Sequence, residues 1–142
     1  MQDWCLYFAF GSNLNTARMR GRCPSMRVIG KATLSGWRLV ERLYADIEPG
    51  NGKVNGILYA VSHFDLRALD YYEGAPRVYA RRLMTIEYNN ARYLAYTYIM
   101  TPATARRRQG IPFPEKYRMI CAAGAAEHHL HIPEFNRREV FA

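Results

Sequence analysis

The stretch Leu6-Tyr7-Phe8-Ala9-Phe10-Gly11-Ser12-Asn13-Leu14 constrains the chain most. Residues 6–10 form an uninterrupted apolar and aromatic run bounded by a turn signal, which reads as a buried strand rather than a helix. Gly11 lets the chain turn without a Cβ, and Ser12 and Asn13 are residues whose side-chain oxygens cap a following helix. A strand that stops in this way leaves several backbone N–H groups unpaired and aimed in one direction. Such a nest binds an anion or a developing oxyanion, or it is a plain strand-to-helix turn. The motif alone leaves both readings open.

The rest of the chain alternates strand patterns with short helices. Residues 15–22 predict a helix ended near Gly21 and Pro24, with Arg18, Arg20 and Arg22 on its wet side. From Val28 to Glu41 apolar residues are interrupted by Gly30 and by Ser35-Gly36, which predicts a strand with bulges in a curved sheet. Asp46-Ile47-Glu48-Pro49-Gly50-Asn51-Gly52 reads as the strongest turn of the chain, followed by a strand over 54–61. Ser62 and Asp65 make a capping box for a helix ending at Glu73, with Gly74 as its left-handed cap. Phe64, Leu66, Leu69 and Tyr72 are placed on its inner face. Residues 77–88 and 92–100 read as a hairpin around Asn89-Asn90, with Tyr96 and Tyr98 pointing the same way. Pro114 opens a last long helix with Tyr117, Ile120, Cys121 and Gly124 on one side, and Pro133 starts a final short piece.

Strands outnumber helices and several glycines fall within strand runs, so the fold class is α+β, one domain over residues 1–142. The chain is long enough to bury its own core without disulfides or metals. Nothing in it suggests export or membrane insertion, which points to a cytoplasmic protein. Cys5, Cys23 and Cys121 are an odd number without paired spacing, so they are read as reduced rather than as a disulfide framework or a zinc site. The formal net charge of +8 comes from 20 basic residues, three of them lysines, against 12 acidic ones. That excess suits an anionic small substrate as well as nucleic acid, and arginine pairs with carboxylates and phosphates alike. Arg106-Arg107-Arg108 lies between Thr101-Pro102 and Gly110-Ile111-Pro112 and reads as a solvated loop without the motif of a nucleic-acid reader. His128, His129 and His131 sit together without a fourth ligand at metal-binding spacing, so no metal is assigned.

Four blocks in order carry a resemblance to a known family. LYFAFGSNL over 6–14 resembles the Y-F-A-Y-G-S-N-L signature of the gamma-glutamylcyclotransferases, and Leu69-Asp70-Tyr71-Tyr72-Glu73-Gly74 resembles their L-D-x-x-E-G segment. Tyr79 and the run Tyr96-Thr97-Tyr98-Ile99-Met100 are similar to the family's aromatic positions and its S/T-Y-L-M strand. Residues 114–130 are similar to its last helix, with Tyr117, Ile120, Gly124 and Ala125 at the Y-x-x-I-x-x-G-A positions.

The resemblance implies an AIG2-like fold, with a mixed, strongly curved or barrel-like sheet flanked by a few helices. It implies an enzyme that joins the α-amine of a γ-glutamyl compound to its own γ-carbonyl, releasing 5-oxoproline and an amine or amino acid. Glu73 is then the catalytic acid/base. The backbone N–H groups of Gly11, Ser12, Asn13 and Leu14 hold the glutamyl end, and Tyr7, Tyr79 and Tyr98 close the pocket. Glu73 ends a helix, where the dipole raises the energy of a carboxylate and so its pKa. No cofactor or metal is implied. The substrate is open among γ-glutamyl amino acids, γ-glutamyl amines and a γ-glutamyl biosynthetic intermediate. Phe10 stands where the family has tyrosine, so a hydroxyl there is absent or comes from a neighbour. Two other classes stand beside this reading: a non-catalytic small-ligand binder on the same fold, and a basic nucleic-acid-associated module. The aromatic content serves a core or a homodimer interface equally.

Overall fold

In the computed structural model, residues 3–136 are described. Five strands close into a barrel in the order β1-β3-β2-β4-β5. They are β1 (Trp4–Ala9), β2 (Arg27–Arg42), β3 (Tyr44–Ser62), β4 (Tyr79–Tyr88) and β5 (Ala91–Met100). All pairings are antiparallel except the closing one, where β1 runs parallel to β5 at Tyr7 and Tyr96. The helices are α1 (Thr16–Arg22), α2 (His63–Glu73), α3 (Pro102–Arg108) and α4 (Glu115–Glu127). The expected α+β class and barrel-like mixed sheet are therefore the observed ones. Among the described residues no helix is long and apolar enough to cross a membrane.

Closure depends on two very long strands that bend. The β2–β3 register slips between Val28 and Gly30 and again between Ser35 and Trp37, at the glycine-marked gaps of the sequence. A bulge bends its strand and increases twist, which is how a two-stranded ribbon reaches both neighbours in a barrel. One expectation is overturned here. Residues 46–52 are not a turn: they lie inside β3, with Trp37 paired to Pro49 and Ser35 to Lys53, so Gly50, Asn51 and Gly52 bulge opposite Gly36. The chain reverses at Leu43 instead, with φ of 63° between the paired residues Arg42 and Tyr44. Arg42 holds that end by binding Asp46 at 2.8 Å and Glu48 at 2.6 Å.

Helix α2 has the expected capping box, Ser62 accepting from the Asp65 N–H, and Gly74 ends it at φ 65°. Leu66 and Leu69 are buried, each contributing about 1.5–3 kcal/mol of apolar burial. Phe64 and Tyr72 do not join them. Phe64 is 80% exposed and Tyr72 51% exposed, because the barrel wall covers only a narrow stripe of this helix. Asn89 and Asn90, both at positive φ, form the β4–β5 turn as anticipated. Arg106–Arg108 is a second correction. These residues are not loop but the last turn of α3, which Thr101 caps by accepting from the Thr104 N–H and which Pro102 opens.

Candidate active site

Strand β1 ends at Ala9, and Ser12–Leu14 make a single 3-10 turn before α1. The N–H groups of Ser12 and Asn13 open that turn, so they have no acceptor within it. The Leu14 N–H is spent on the Gly11 carbonyl at 3.1 Å, and Leu14 itself is fully buried in the core. Of the four expected donors, Leu14 thus drops out.

The Asn13 side chain fixes the turn. Its Nδ2 donates to the Tyr7 hydroxyl at 3.0 Å and its Oδ1 accepts from Arg22 at 3.1 Å, while the Asn13 backbone carbonyl accepts from the Tyr59 hydroxyl at 2.6 Å. From the other side, helix α4 presses on the same backbone. A Cβ at Gly124 would stand 2.4 Å from the Asn15 nitrogen, and one at Gly11 would stand 2.9 Å from the Tyr117 hydroxyl. Gly124 and Tyr117 are seven residues apart, about two helical turns, so one face of α4 meets the turn at both points. Phe10 is buried beside it, and Tyr117 supplies a phenol hydroxyl next to Gly11.

A cavity of about 430 Å³ opens at this turn, bringing together Tyr7, Gly11, Ser12, Asn13, Glu73, Tyr79 and Tyr98. Tyr7 is buried in the cavity wall, stacked on Tyr59 with ring centroids 6.2 Å apart. The Tyr79 hydroxyl donates to the Ala45 carbonyl at 3.2 Å, and the Tyr98 hydroxyl donates to Asp70 at 2.6 Å. A wider hollow of about 810 Å³ between Lys31, Lys53, Glu87 and His131 contains none of these residues.

Glu73 ends α2 at the cavity wall, and its carboxyl is raised to about 7. Burial is the chief cause, opposed by Arg22 and then Arg18. The direction is the expected one, but its physical source is desolvation, where the sequence pointed to the helix end. Burial also pushes the Tyr7 and Tyr79 phenols up, with the Glu73 charge adding to both. Cys23 and Cys121 are pushed up to about 12 by burial, so as neutral thiols they are poor nucleophiles. Among the described residues no cluster of three His, Cys, Asp or Glu side chains is placed to hold a metal, and His128 Nε2 lies 2.9 Å from the Thr16 hydroxyl.

Comparison with known sequences decides the family. The family described as "Gamma-glutamyl cyclotransferase, AIG2-like" matches residues 7–118, which include the turn, Glu73 and the flanking tyrosines. The chain belongs to this family. Among solved structures, a gamma-glutamyl cyclotransferase is 26% identical, covers 90% of this chain and 82% of its own, and superposes with a TM-score of 0.75. An uncharacterized human protein, loc79017, is 25% identical over 94% of this chain and 85% of its own, with a TM-score of 0.78. An AIG2-like protein of Mus musculus shares the fold at 21% identity, covering 78% of this chain and 86% of its own, with a TM-score of 0.63. No curated protein matches.

Three arginines lining the cavity of this gamma-glutamyl cyclotransferase family member were not anticipated: Arg18, Arg22 and Arg108. The expected wet face of α1 is corrected. A helix advances about 100° per residue, so Arg22 returns to the side of Arg18 while Arg20 faces away. Arg20 is exposed, whereas Arg18 and Arg22 are half-buried, with Arg22 lying 4.6 Å from the Tyr72 ring centroid. The four-residue spacing directly after the turn was the available signal. For Arg108 the signal was the Thr101-Pro102 pair, a cap followed by a helix-opening proline.

Proposed function

We propose that the protein is a γ-glutamylcyclotransferase that converts a γ-glutamyl compound to 5-oxoproline and a free amine or amino acid. The observation that carries this reading is that Glu73, a carboxyl raised to about 7, lines the same cavity as Ser12 and Asn13, whose N–H groups open the turn. A base poised near neutrality accepts and returns a proton more readily than an ordinary surface glutamate.

The substrate supplies its own nucleophile. Glu73 takes a proton from the α-ammonium, and the freed amine attacks the γ-carbonyl carbon, forming the ring C–N bond. The γ-oxygen becomes an oxyanion, which accepts from the Ser12 and Asn13 N–H groups. Glu73 then gives that proton to the departing nitrogen and takes the second proton from the ring nitrogen as the old C–N bond breaks and the carbonyl re-forms. This second proton leaves with the released amine, as its ammonium. One carboxyl serves both nitrogens because in the tetrahedral intermediate they are bonded to the same carbon, the former γ-carbonyl. Arg18 and Arg22, the cations acting on Glu73, suit the substrate's α-carboxylate beside the reacting amine. Tyr7 and Tyr79 wall the site and help exclude water. Every step runs on protein and substrate groups alone.

Incubation with a panel of γ-glutamyl amino acids and γ-glutamyl amines, read by mass spectrometry, tests this. Formation of 5-oxoproline with the matching amine supports it. Saturable binding without product across the panel makes the protein a binder on a cyclotransferase fold.

A further inference from the structure

We propose that the cavity carries a second anion subsite, built on Arg108 and Tyr44, which takes the carboxylate of an amino-acid leaving group. The preferred substrates are then γ-glutamyl amino acids rather than γ-glutamyl amines. The inference rests on the cyclotransferase reading above and narrows its substrate.

Of the run Arg106-Arg107-Arg108, the first two are exposed and only Arg108 turns into the cavity wall. Its guanidinium lies 5.4 Å from the Tyr44 ring centroid, and its Nη1 is buried with no acceptor among the described residues. A buried donor left without an acceptor is costly, and it is kept where something else supplies the acceptor. The surroundings hold Arg108 in place. Tyr44 meets Tyr117 edge-on at 4.9 Å, the Tyr117 hydroxyl accepts from the Ala45 N–H at 3.0 Å, and the Leu43 N–H donates to the Ile111 carbonyl at 2.7 Å. The tip of the β2–β3 hairpin and the loop after α3 are thereby locked together, with the Arg108–Tyr44 pair between them.

Charge balance points the same way. Three arginines line the cavity against one carboxyl, Glu73. Asp46 and Glu48, on the strand that carries Tyr44, are already bound by Arg42. A γ-glutamyl head has an α-ammonium and an α-carboxylate, so it brings no net charge. Its carboxylate is matched at the Glu73 end, where Arg22 and Arg18 act. Arg108 is not among the cations acting on Glu73 and lies instead against Tyr44, beside the tip of the β2–β3 hairpin. A carboxylate on the leaving group is the anion that Arg108 lacks, and an uncharged amine tail does not supply it. With the Tyr44 ring against the guanidinium, the unpartnered Nη1 is the donor a carboxylate in the cavity meets.

The test uses γ-glutamylalanine and γ-glutamylethylamine, which differ only in that carboxylate. Calorimetric titration of the full chain carrying Glu73→Gln, which blocks turnover, gives both affinities. The expected result is at least about tenfold tighter binding of γ-glutamylalanine, a preference abolished by adding Arg108→Met and partly kept by Arg108→Lys. Equal affinities without the Arg108 change, binding of neither compound, or a preference that survives Arg108→Met overturns the subsite. So does an equal loss of both ligands, which assigns Arg108 to the glutamyl head. Turnover by the unmodified protein separates the two claims. If 5-oxoproline forms from both compounds without preference, the reaction stands and the subsite falls. If the Arg108-dependent preference is measured and no 5-oxoproline forms, the subsite stands and the reaction falls.

Discussion

Gly124 of α4 lies directly against the backbone of Asn15, so closely that a Cβ there would stand 2.4 Å from the Asn15 nitrogen and 2.5 Å from the Leu14 carbonyl carbon. Those are backbone atoms of the turn that opens the cavity, and they have no flexible end to move aside. Gly124→Ala is expected to cost about 1–3 kcal/mol in urea unfolding and to lower kcat/KM beyond that, because the Ser12 and Asn13 N–H groups shift with the turn. Gly21→Ala, where nothing lies within 4 Å of the added carbon, is the control and should not destabilise.

A related prediction concerns Gly11 and Tyr117. A methyl at Gly11 meets the Tyr117 hydroxyl at 2.9 Å, while that hydroxyl accepts from the Ala45 N–H at 3.0 Å. Tyr117→Phe removes the acceptor and should cost about 1–3 kcal/mol. It also relieves the clash. Chemical denaturation of Gly11→Ala, Tyr117→Phe and the double variant should therefore show a double cost smaller than the sum of the single ones.

Glu73 gives stability a definite dependence on pH. Its carboxyl stands at about 7 in the fold against an ordinary value of 4.5, so the folded chain holds this proton over a range where the unfolded chain has released it. The contribution is fully present below about 4.5, declines as pH rises, and is lost above about 7. Relative to Glu73→Gln, the wild type should be equally stable near pH 4 and less stable above pH 7, by an amount on the order of 2–3 kcal/mol. Thermal melts of the pair across pH 4–8 check this. A difference of the opposite sign would place the Glu73 charge in a stabilising ion pair.

Arg22 is the largest influence lowering the Glu73 pKa against the effect of burial. Arg22→Met should therefore raise that pKa further and move the acidic limb of the kcat/KM profile to higher pH. The same change frees Asn13 Oδ1, its 3.1 Å partner, so KM should rise as the turn loosens. A pH–rate profile of the variant separates the two effects.

Much of the fold was legible because its signals are local. The Ser62–Asp65 capping box, the left-handed Gly74, the Asn89-Asn90 turn and the bulges at Gly30 and Gly36 each depend on a few adjacent residues. The Pro49-Gly50-Asn51-Gly52 segment misled because whether such residues turn or bulge is decided by the partner strand, which is paired through Trp37 and Ser35. Phe64 and Tyr72 misled for a similar reason: periodicity identifies an apolar face but not how much of it the barrel covers. In the site, the turn and Glu73 carried motifs. Arg18, Arg22 and Arg108 did not stand out, since on a chain with 20 basic residues a cavity-facing arginine resembles a solvated one until the packing is known.

The most direct measurement compares the wild type with Glu73→Gln on whichever γ-glutamyl compound is turned over best. The substitution keeps size and shape and removes only the titrating proton. Release of 5-oxoproline with equimolar amine by the wild type, and a fall of about 10²-fold or more in the folded variant, is the predicted result. Turnover by Glu73→Gln at the wild-type rate would contradict the assignment of Glu73 as the group that moves the proton.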